Sequence, residues 1–516
     1  MWTEGWRSRF RAAAETGFDL LIIGGGITGA GIALEGARTG LRVALIEQND
    51  FASGTSSWSS KLVHGGLRYL ASGDWRLTRE SVQERQRLMH DVPGLVAPLD
   101  FMLPAYAGDK PGRLALRAAL AAYDLMAGQW VSRYLNRAGF AEHMPYLRTE
   151  ALKGGFVYRD ALTDDVRLTL RVLAEAASYG AQAANYVRAT ELIIDNDRVA
   201  GAQVVDRVSG ASFSIRAGCV VNATGPWSDR LRAGVNGAPQ LRPLRGSHFV
   251  FPFHVLPVAR AITLFHPDDR RPLFAIPWQG ATVLGTTDLD HESSIDEVPR
   301  MSAAESDYLI AAARHYFPAL DLRAHKAVSS YAGVRPVLRG EPGASASQES
   351  RESAIIVERG LISVMGGKLT TFRVTAHEAL TQVGTALGRG LRLSRKDPII
   401  QHRVTATGAA GERAHRYGPA YAAMAPMPGD DRRLGASDYI IAELRFALLH
   451  EAVEHLDDLL LRRTRIGLLL TDGGVDVLDL IRPMCTGLLG WDDERWQTEV
   501  VRYRDHWRAV HAPVRS

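Results

Sequence analysis

Residues 19–29 read DLLIIGGGITG, and this stretch decides the fold. Its first part, Asp19–Ile23, predicts a short buried strand that runs directly into three glycines. The stretch Ala30–Arg38 is rich in alanine and predicts a helix, and Leu41–Ile46 predicts a second strand that ends at Glu47. These segments together predict a β-α-β unit, which is the context that gives a glycine pattern between strand and helix its meaning.

Gly24, Gly26 and Gly29 give the spacing G-x-G-x-x-G. The first glycine allows a tight turn, the second lets the backbone approach a pyrophosphate, and the third lets helix and strand pack closely. The start of the helix offers free N–H groups and a partial positive charge to phosphates. Glu47 stands where an acidic group accepts hydrogen bonds from a ribose hydroxyl. The unit therefore predicts dinucleotide binding, without separating FAD from NAD; a glycine-rich turn with no ligand is the alternative.

The composition excludes several other classes of protein. Hydrophobic residues make up 46% and charged residues 23% of the chain, and the net charge is +4. This small excess does not favour nucleic-acid binding, which needs a concentrated basic face. The two cysteines, Cys219 and Cys485, lie far apart and in no CxxC motif, so we expect no disulfide framework and no metal site. We also expect no transmembrane helix and no secretion signal.

The rest of the chain predicts a mixed architecture. The Ser/Gly-rich stretch 53–73 has little regular pattern, and a loop of that length is usually functional or disordered. Beyond residue 400 the chain becomes mainly helical, and residues 438–470 predict helix most strongly. The other predicted elements are helices at residues 76–90, 168–179 and 371–387, a buried strand at 219–223, and largely antiparallel strands across residues 240–365.

A series of short motifs resembles, in the same order, the quinone-linked FAD-dependent glycerol-3-phosphate dehydrogenases. The resemblance covers roughly residues 18–510, and the ordered combination is more specific than any single motif. The motifs are GGGITGAG at 24–31, TSSWSSKLVHGGLRYL at 55–70, VNATGPW at 221–227, GSHF at 246–249, GTTD at 285–288, YAGVRP at 331–336, GGKLTTF at 366–372 and LRRTRIG at 461–467.

The resemblance implies an α/β and α+β fold in three parts. Residues 1–17 are an N-terminal extension, residues 18–400 the oxidoreductase body, and residues 401–516 a mainly helical C-terminal domain. Within the body, a Rossmann-like FAD-binding domain uses segments of about 18–90, 165–230 and 355–390. A substrate domain with a mixed or antiparallel sheet lies between those segments.

The resemblance also implies which residues hold FAD, with a helix that starts near Thr370 stabilising the reduced, anionic flavin through its N-terminal dipole. For any one hydroxyl in the set, ordinary turn chemistry is the alternative. The full set is Gly24, Gly26, Gly29, Glu47, Thr55, Ser56, Ser59, Ser60, Lys61, Leu62, His64, Ala223, Thr224, Gly225, Gly366, Gly367, Lys368, Leu369 and Thr370.

The implied reaction takes a hydride from C2 of sn-glycerol 3-phosphate to flavin N5 and yields dihydroxyacetone phosphate. A phosphate needs convergent cations, and a guanidinium fork matches its oxygens. The expected substrate cations are Arg68, Arg335, Arg351 and Lys368. Arg351 departs from the usual pattern of the family, because Glu352 and Ser353 follow it where an aspartate and an aromatic residue are common.

The proton of the C2 hydroxyl needs a general base, and histidine is the usual choice near neutral pH. We expect His248 to be that base and to contact the substrate. His64 and Lys368 are the other candidates, and a structural or flavin-packing histidine is the alternative reading of both imidazoles.

The resemblance implies a membrane quinone as electron acceptor, and a peripheral location on the inner, cytoplasmic face of the membrane. It leaves room for a homodimer. Trp2, Trp6 and Phe10 recur every four residues among arginines, which predicts either an interfacial helix or a helix packed on the body. The basic run 462–465 is read as charges at the C-terminal end of a helix rather than a lipid site.

Three other functions remain open on the sequence alone. The first is an oxidase on the same fold that passes electrons to O2. The second is a flavin amine or amino-acid oxidase, against which the expected set of cations counts. The third is a non-catalytic protein that FAD merely stabilises.

Overall fold

The computed structural model describes residues 2–67, 73–340, 353–404 and 408–514. In addition to regular helices, these residues include a π-helical segment at Asp458–Arg463. The helices are α1 Trp6–Thr16, α2 Ile27–Arg38, α3 Trp75–Asp91, α4 Arg113–Ala127, α5 Arg137–His143, α6 Asp165–Ser178, α7 Ser228–Ala233, α8 Ala303–Tyr316, α9 Phe372–Leu387, α10 Gly408–Tyr417, α11 Pro419–Ala422, α12 Ile441–His450, α13 Ile466–Leu469, α14 Leu478–Leu489 and α15 Asp493–Val510.

The described strands form two sheets. The strands are β1 Phe18–Ile23, β2 Val43–Ile46, β3 Leu62–Val63, β4 Val96–Tyr106, β5 Arg133–Asn136, β6 Leu152–Thr163, β7 Gln182–Ala184, β8 Val187–Asp195, β9 Arg198–Asp206, β10 Ser212–Asn222, β11 Leu241–Pro252, β12 Ala261–Phe265, β13 Pro272–Trp278, β14 Ala281–Gly285, β15 Leu289–Asp290, β16 Ser329–Leu338, β17 Ser353–Glu358 and β18 Leu361–Gly366.

The first sheet has the strand order β17-β18-β10-β1-β2-β7, with β8 and β9 extending from β10. β18, β10, β1, β2 and β7 run parallel, and β17 is antiparallel to its neighbour. Residues of β1 and β2 are almost wholly apolar because both faces of these strands are covered. Helices α2, α6 and α9 pack on one face, and α1 with β8 and β9 packs on the other. Helix α2 packs on α6 and α9, and a Cβ on Gly31 of α2 would stand 2.6 Å from the Phe372 ring. The β-α-β unit predicted from residues 19–47 is confirmed.

The second sheet has the order β15-β11-β14-β13-β12-β4-β6-β3, with β16 on β11 and β5 on β6. It is antiparallel except where β12 meets β4. The antiparallel sheet predicted across residues 240–365 is therefore present from β11 to β16. Its last part was predicted wrongly, because β17 and β18 belong to the first sheet, where β18 runs parallel to β10. The second sheet is larger than predicted, because β3 to β6, between Leu62 and Thr163, also belong to it.

One prediction about the C-terminal part of the chain needs correction. Residues 438–470 are not one strong helix: α12 ends at His450, and an irregular stretch precedes the π-helical segment and the short α13. The basic run 462–465 does begin at the C-terminal end of a helical segment, as predicted, because Arg462 and Arg463 lie in the last turn of the π-helical segment. Its arginines are buried and form ion pairs with Asp50, Asp164 and Asp165, which lie about 300–400 residues earlier in the chain.

The N-terminal helix packs on the body, which is the second of its two predicted readings. Trp2 and Phe10 are only 6% and 4% exposed. The Trp2 indole donates to the carbonyl oxygen of Ala183 at 2.6 Å, and its ring lies 4.9 Å from that of Phe51. These aromatic side chains are thus used within the fold and do not form an interfacial face. No helix among the described residues is long and apolar enough to cross a membrane.

Candidate functional site

A cavity of about 660 Å³ lies at the carboxyl ends of the parallel strands. In the order of the sheet, these ends carry Gly366, Ala223, Gly24 and Glu47, and all four residues line the cavity. Open α/β sheets bind their ligands at this edge. The second sheet closes the other side through Leu62, Phe274 and Arg335, whose strands all belong to it.

Most of the residues predicted to hold the cofactor line this one cavity, although they come from four separate stretches of the chain. They are Gly24, Gly26, Glu47, Thr55, Ser56, Ser59, Ser60, Leu62, His64, Ala223, Thr224, Gly225, Gly366, Gly367, Lys368, Leu369 and Thr370.

The glycine turn between β1 and α2 leaves no room for side chains. Gly24 has φ +120°, and a Cβ there would overlap the carbonyl of Ala223. A Cβ on Gly29 would overlap the carbonyl of Gly24, so Gly29 acts by close packing and does not line the cavity. Gly26 faces the cavity, and the Ser56 hydroxyl accepts from the Ile27 N–H at 3.0 Å. The turn therefore presents bare backbone and a helix N-terminus to the cavity, as pyrophosphate binding requires.

Glu47 braces this turn as well as facing the cavity. Its carboxylate accepts from the N–H of Gly25 at 2.8 Å and from that of Asn49 at 2.9 Å. Burial raises the pKa of Glu47, and the two backbone donors oppose that shift. One carboxylate thus fixes the glycine turn and remains beside the cavity as a hydrogen-bond acceptor.

The opposite end of the cavity is formed where β18 runs into α9. Gly366 and Gly367 have φ values of +73° and +101°, a conformation that residues with a Cβ rarely adopt. The turn carries Lys368 to the cavity wall. The Thr370 hydroxyl donates to the carbonyl of His64 at 3.2 Å, which ties this turn to the loop after β3.

Arg335 on β16 is held in place from two sides. Its guanidinium lies 3.0 Å from Asp288 and donates to the Thr286 hydroxyl at 2.8 Å. Arg335, Thr286 and Lys368 line the same cavity. The structure thus brings together two of the four predicted substrate cations. The other two, Arg68 and Arg351, lie outside the described residues.

His248 on β11 does not line the cavity, contrary to the expectation that it contacts the substrate. It is 1% exposed and stacks on Tyr331 with ring centroids 4.7 Å apart. Its Nε2 lies 2.9 Å from the hydroxyl of Ser60, which does line the cavity. Burial, followed by the charges of Arg335 and Lys61, holds the pKa of His248 well below its usual range. The imidazole is therefore neutral at neutral pH, and Ser60 stands between it and the cavity.

Lys61, one of the residues predicted to hold FAD, does not join its neighbours Ser60 and Leu62 in the wall of the cavity. It is fully buried and pairs with Asp165 at 2.9 Å. Lys61 has φ +61°, and its ammonium lies at the start of α6, where Asp165 is the first residue. Burial lowers the pKa of Lys61 to about 8 in spite of the neighbouring carboxylate.

Sequence reasoning missed several residues of the site. Val187 and Ala189 of β8 line the cavity, with Val187 next to Glu47, and Trp58 and Trp227 line it too. An isolated apolar residue in a strand carries no functional signal, so Val187 and Ala189 could not have been found. The paired acids at the start of α6, Asp164 and Asp165, were a visible signal, because two carboxylates at the start of a buried helix need cationic partners.

The residues present fit a dinucleotide that lies across the ends of the strands. The fit rests on the space that the glycines leave at the start of α2, on the acceptor Glu47, and on the turn at Gly366. Among the described residues, no group of three or more His, Cys, Asp or Glu side chains is placed to hold a metal ion.

The fold and this cavity define an FAD-dependent oxidoreductase. A family model described as FAD dependent oxidoreductase matches residues 19–376, and membership of that family gives FAD as the cofactor. A second model, described as the C-terminal domain of alpha-glycerophosphate oxidase, matches residues 389–496.

The relatives narrow the class further. The aerobic glycerol-3-phosphate dehydrogenase of Bacillus subtilis is 39% identical over 71% of this chain and 66% of its own length. The mitochondrial glycerol-3-phosphate dehydrogenase of Homo sapiens is 32% identical over 94% of this chain and 72% of its own length. The glycerol-3-phosphate dehydrogenase of Bacillus halodurans, solved with FAD, has a TM-score of 0.77 and 30% identity, covering 99% of this chain and 97% of that one. The chain belongs to the family of FAD-dependent glycerol-3-phosphate dehydrogenases.

Proposed function

We propose that this protein oxidises sn-glycerol 3-phosphate to dihydroxyacetone phosphate and passes the electrons to a membrane quinone, as a step of glycerol catabolism. One observation supports the assignment of glycerol 3-phosphate as the substrate. Arg335 and Lys368 line the same cavity as the dinucleotide-binding turn. Two cations from separate parts of the chain that line the same cavity as a cofactor site suit a phosphate dianion. An amino-acid substrate would need a carboxylate clamp and an amine-binding group in place of the second cation.

Bound FAD supplies the hydride acceptor in this reaction. The chain itself must bind the phosphate, orient C2 and remove the hydroxyl proton. We assign that last role to His248, acting through Ser60. The C2 hydroxyl gives its proton to the Ser60 oxygen while the Ser60 proton passes to Nε2 of His248, 2.9 Å away.

The electrostatics of His248 fit a base that works only with substrate bound. The neighbouring Arg335 and Lys61 disfavour a charged imidazole. A phosphate dianion beside Arg335 offsets that repulsion, so proton uptake becomes easier when the substrate is in place. The relay needs the tautomer with a proton on Nδ1, in which Nε2 accepts from Ser60.

An exposed apolar face on α4 supports the proposed membrane contact. Leu114 and Leu125 are 80% and 68% exposed, and Trp130, just after the helix, is 75% exposed. The opposite face of α4 is buried and includes Tyr123, whose hydroxyl donates to Asp160, as does the N–H of Gly65 in the loop after β3. Apolar side chains with an exposed tryptophan suit the boundary of a lipid bilayer. A lipid-soluble quinone would thus reach the protein close to the loop that lines the cavity.

The second candidate function is that of an oxidase that uses O2. The observation behind it is the match of residues 389–496 to a domain named for alpha-glycerophosphate oxidase. That match concerns residues 389–496, and none of those that the structure describes lines the cavity. The acceptor is therefore tested directly.

The test is a visible spectrum of the purified protein without oxygen, before and after adding sn-glycerol 3-phosphate. We expect the absorption band of oxidised flavin to disappear, and a soluble quinone to restore it faster than O2 does. Restoration by O2 alone, with hydrogen peroxide formed, would identify an oxidase. A flavin band that glycerol 3-phosphate leaves unchanged, while an amino acid bleaches it, would overturn the substrate assignment.

A further inference from the structure

A buried cluster of four charges joins the catalytic body to the C-terminal domain. Lys61 follows the Ser-rich loop, Asp164 and Asp165 stand at the start of α6, and Arg465 comes from the stretch before α13. The side chains of Lys61, Asp165 and Arg465 are fully buried. Two positive and two negative charges balance, as buried ions require.

Asp165 acts as the centre of this cluster. It accepts from the Lys61 ammonium at 2.9 Å and forms an ion pair with Arg465. It also accepts from both the backbone N–H and the hydroxyl of Ser59, at 3.1 and 2.7 Å. Lys61 closes the loop by donating to the carbonyl of Ser57. The residues on both sides of Ser60 are therefore fixed to one carboxylate.

This arrangement fixes the position of Ser60. Its hydroxyl lies against His248, and the ring of His248 stacks on Tyr331. The Tyr331 hydroxyl donates to the carbonyl of Ser59 at 2.9 Å. The loop that carries Ser60 thus also holds the aromatic ring on which His248 rests, so a shift of Ser59 would move both members of the pair.

Arg465 brings the C-terminal domain into this arrangement. Its guanidinium donates to the carbonyl of Leu461 at 2.8 Å and to Asp164 at 3.1 Å, as well as pairing with Asp165. It does not line the cavity. Without Arg465 the two aspartates would share one buried cation, and Asp165 would be drawn away from Ser59 towards other donors.

We propose that Lys61, Asp165 and Arg465 are positioning residues that hold the Ser60 hydroxyl against His248, so that the C-terminal domain sets the geometry of proton removal. This inference rests on the proposed function, because it concerns the base of that reaction. None of the three side chains touches the substrate, and their effect reaches the reaction through Ser60.

The test compares two buried arginine pairs that join α6 to the C-terminal domain. Arg465→Met breaks the cluster, and Arg465→Lys keeps the charge without the planar fork. Arg167→Met is the matched control: Arg167 is 3% exposed, lies two residues from Asp165, and pairs with Glu451 of the C-terminal domain away from Ser60. We expect both methionine variants to lower the melting temperature by similar amounts.

Only the cluster variant should change the chemistry. For Arg465→Met we expect kcat to fall about 10- to 100-fold with KM for sn-glycerol 3-phosphate changed less than about threefold, and Arg465→Lys to recover part of the loss. Hydrogen exchange at residues 57–61 should speed up in Arg465→Met and not in Arg167→Met. Equal losses of kcat in the Arg465 and Arg167 variants would overturn the proposal.

A double-mutant cycle keeps the proposal falsifiable if Arg465→Met folds poorly. Ser60→Ala removes the hydroxyl without disturbing the buried charges, and Asp165→Asn weakens the cluster with little change of shape. If both act through Ser60, the double variant should lose no more kcat than Ser60→Ala alone. Independent, multiplying losses would show that the cluster has only a structural role. Failure of the wild-type protein to reduce its flavin with glycerol 3-phosphate would instead reject the proposed function.

Discussion

Arg335 and Asp288 form an ion pair at 3.0 Å in which the arginine faces the cavity and the aspartate does not. The second oxygen of Asp288 is held by Arg271, also at 3.0 Å. Because Arg271 also balances the negative charge of Asp288, the guanidinium of Arg335 keeps its net attraction for an anion. A single carboxylate thus orients the cation while a second arginine balances its charge.

Replacing Arg335 should weaken substrate binding. A hydrogen bond to a charged group contributes about 1.5–3 kcal/mol, so Arg335→Met should raise KM for sn-glycerol 3-phosphate by about 10- to 100-fold. Steady-state kinetics on the FAD-loaded protein measures this. Arg271→Met is the control, because Arg271 pairs with the same carboxylate outside the cavity. An equal rise of KM in both variants would mean that Arg335 only supports the fold.

Loss of the imidazole at position 248 should slow the chemical step. General-base catalysis contributes about 10²- to 10⁴-fold, and His248→Gln should lose kcat in that range with a much smaller change in KM. His64→Gln is the informative comparison, because His64 lines the cavity directly. Rapid mixing with substrate under anaerobic conditions reports flavin reduction itself. A larger loss in the His64 variant would transfer the role of base to His64.

The stability of the protein should depend on pH through His248. Its folded-state pKa lies well below that of the unfolded chain, so the unfolded state binds the extra proton first. Below a pH of about 6.5, this group should therefore destabilise the fold by about 1.4 kcal/mol per pH unit. Paired melting curves of wild type and His248→Gln between about pH 8 and pH 5 isolate the effect. The stability of the wild type relative to the variant should decrease as the pH falls, and a constant difference would contradict the pKa direction.

The glycine turn should not tolerate even one methyl group at its packed position. Gly29→Ala would force a Cβ into the carbonyl of Gly24, and we expect the purified variant to lose FAD or fail to fold. Gly36→Ala lies on the same helix, where a Cβ would stand 3.4 Å from the side chains of Leu20 and Leu380, an ordinary contact. The ratio of flavin to protein absorbance compares the two. Full flavin content in Gly29→Ala would show that the turn can relax.

The apolar face of α4 should determine membrane binding. Burying a leucine side chain is worth about 1.5–3 kcal/mol, so the double variant Leu114→Ser/Leu125→Ser should lose at least about tenfold in affinity for lipid vesicles. Co-sedimentation with vesicles measures the change. Val501→Ser is the control, since Val501 is 58% exposed on α15. Unchanged vesicle binding in the double variant would place the membrane contact elsewhere or remove it.

The sequence predicted those parts of the site whose signal is local. The turn at Gly24, the acid at Glu47 and the turn at Gly366 all depend on spacing within a few residues, and all three line the cavity. The resemblance to a family then indicated that these distant stretches meet. Arg335 and Lys368 are placed together as that resemblance implies.

The residues whose interpretation from the sequence differs from the structure are those with partners far away in the chain. Arg463 looks like any basic residue at the end of a helix, until Asp50, 413 residues away, is found against it. His248 looks like a site histidine, and only the packing shows Ser60 in front of it. Trp2 and Phe10 have the spacing of an interfacial helix, and burial against the body uses the same apolar pattern. The periodicity of apolar residues predicts that a helix has an apolar face, and it does not predict whether protein or lipid covers that face.

The buried arginines also set an order for assembly during synthesis. Asp50 and Asp165 leave the ribosome early, whereas their partners at positions 462–465 emerge after the whole catalytic body. A carboxylate cannot be buried cheaply before its counter-charge arrives, so both must stay hydrated until then. The loop from Ser57 to Lys61 is therefore locked only when the C-terminal segment docks. The catalytic body thus completes its folding only after the C-terminal segment, whose described residues contribute no strand to either sheet, has been synthesised.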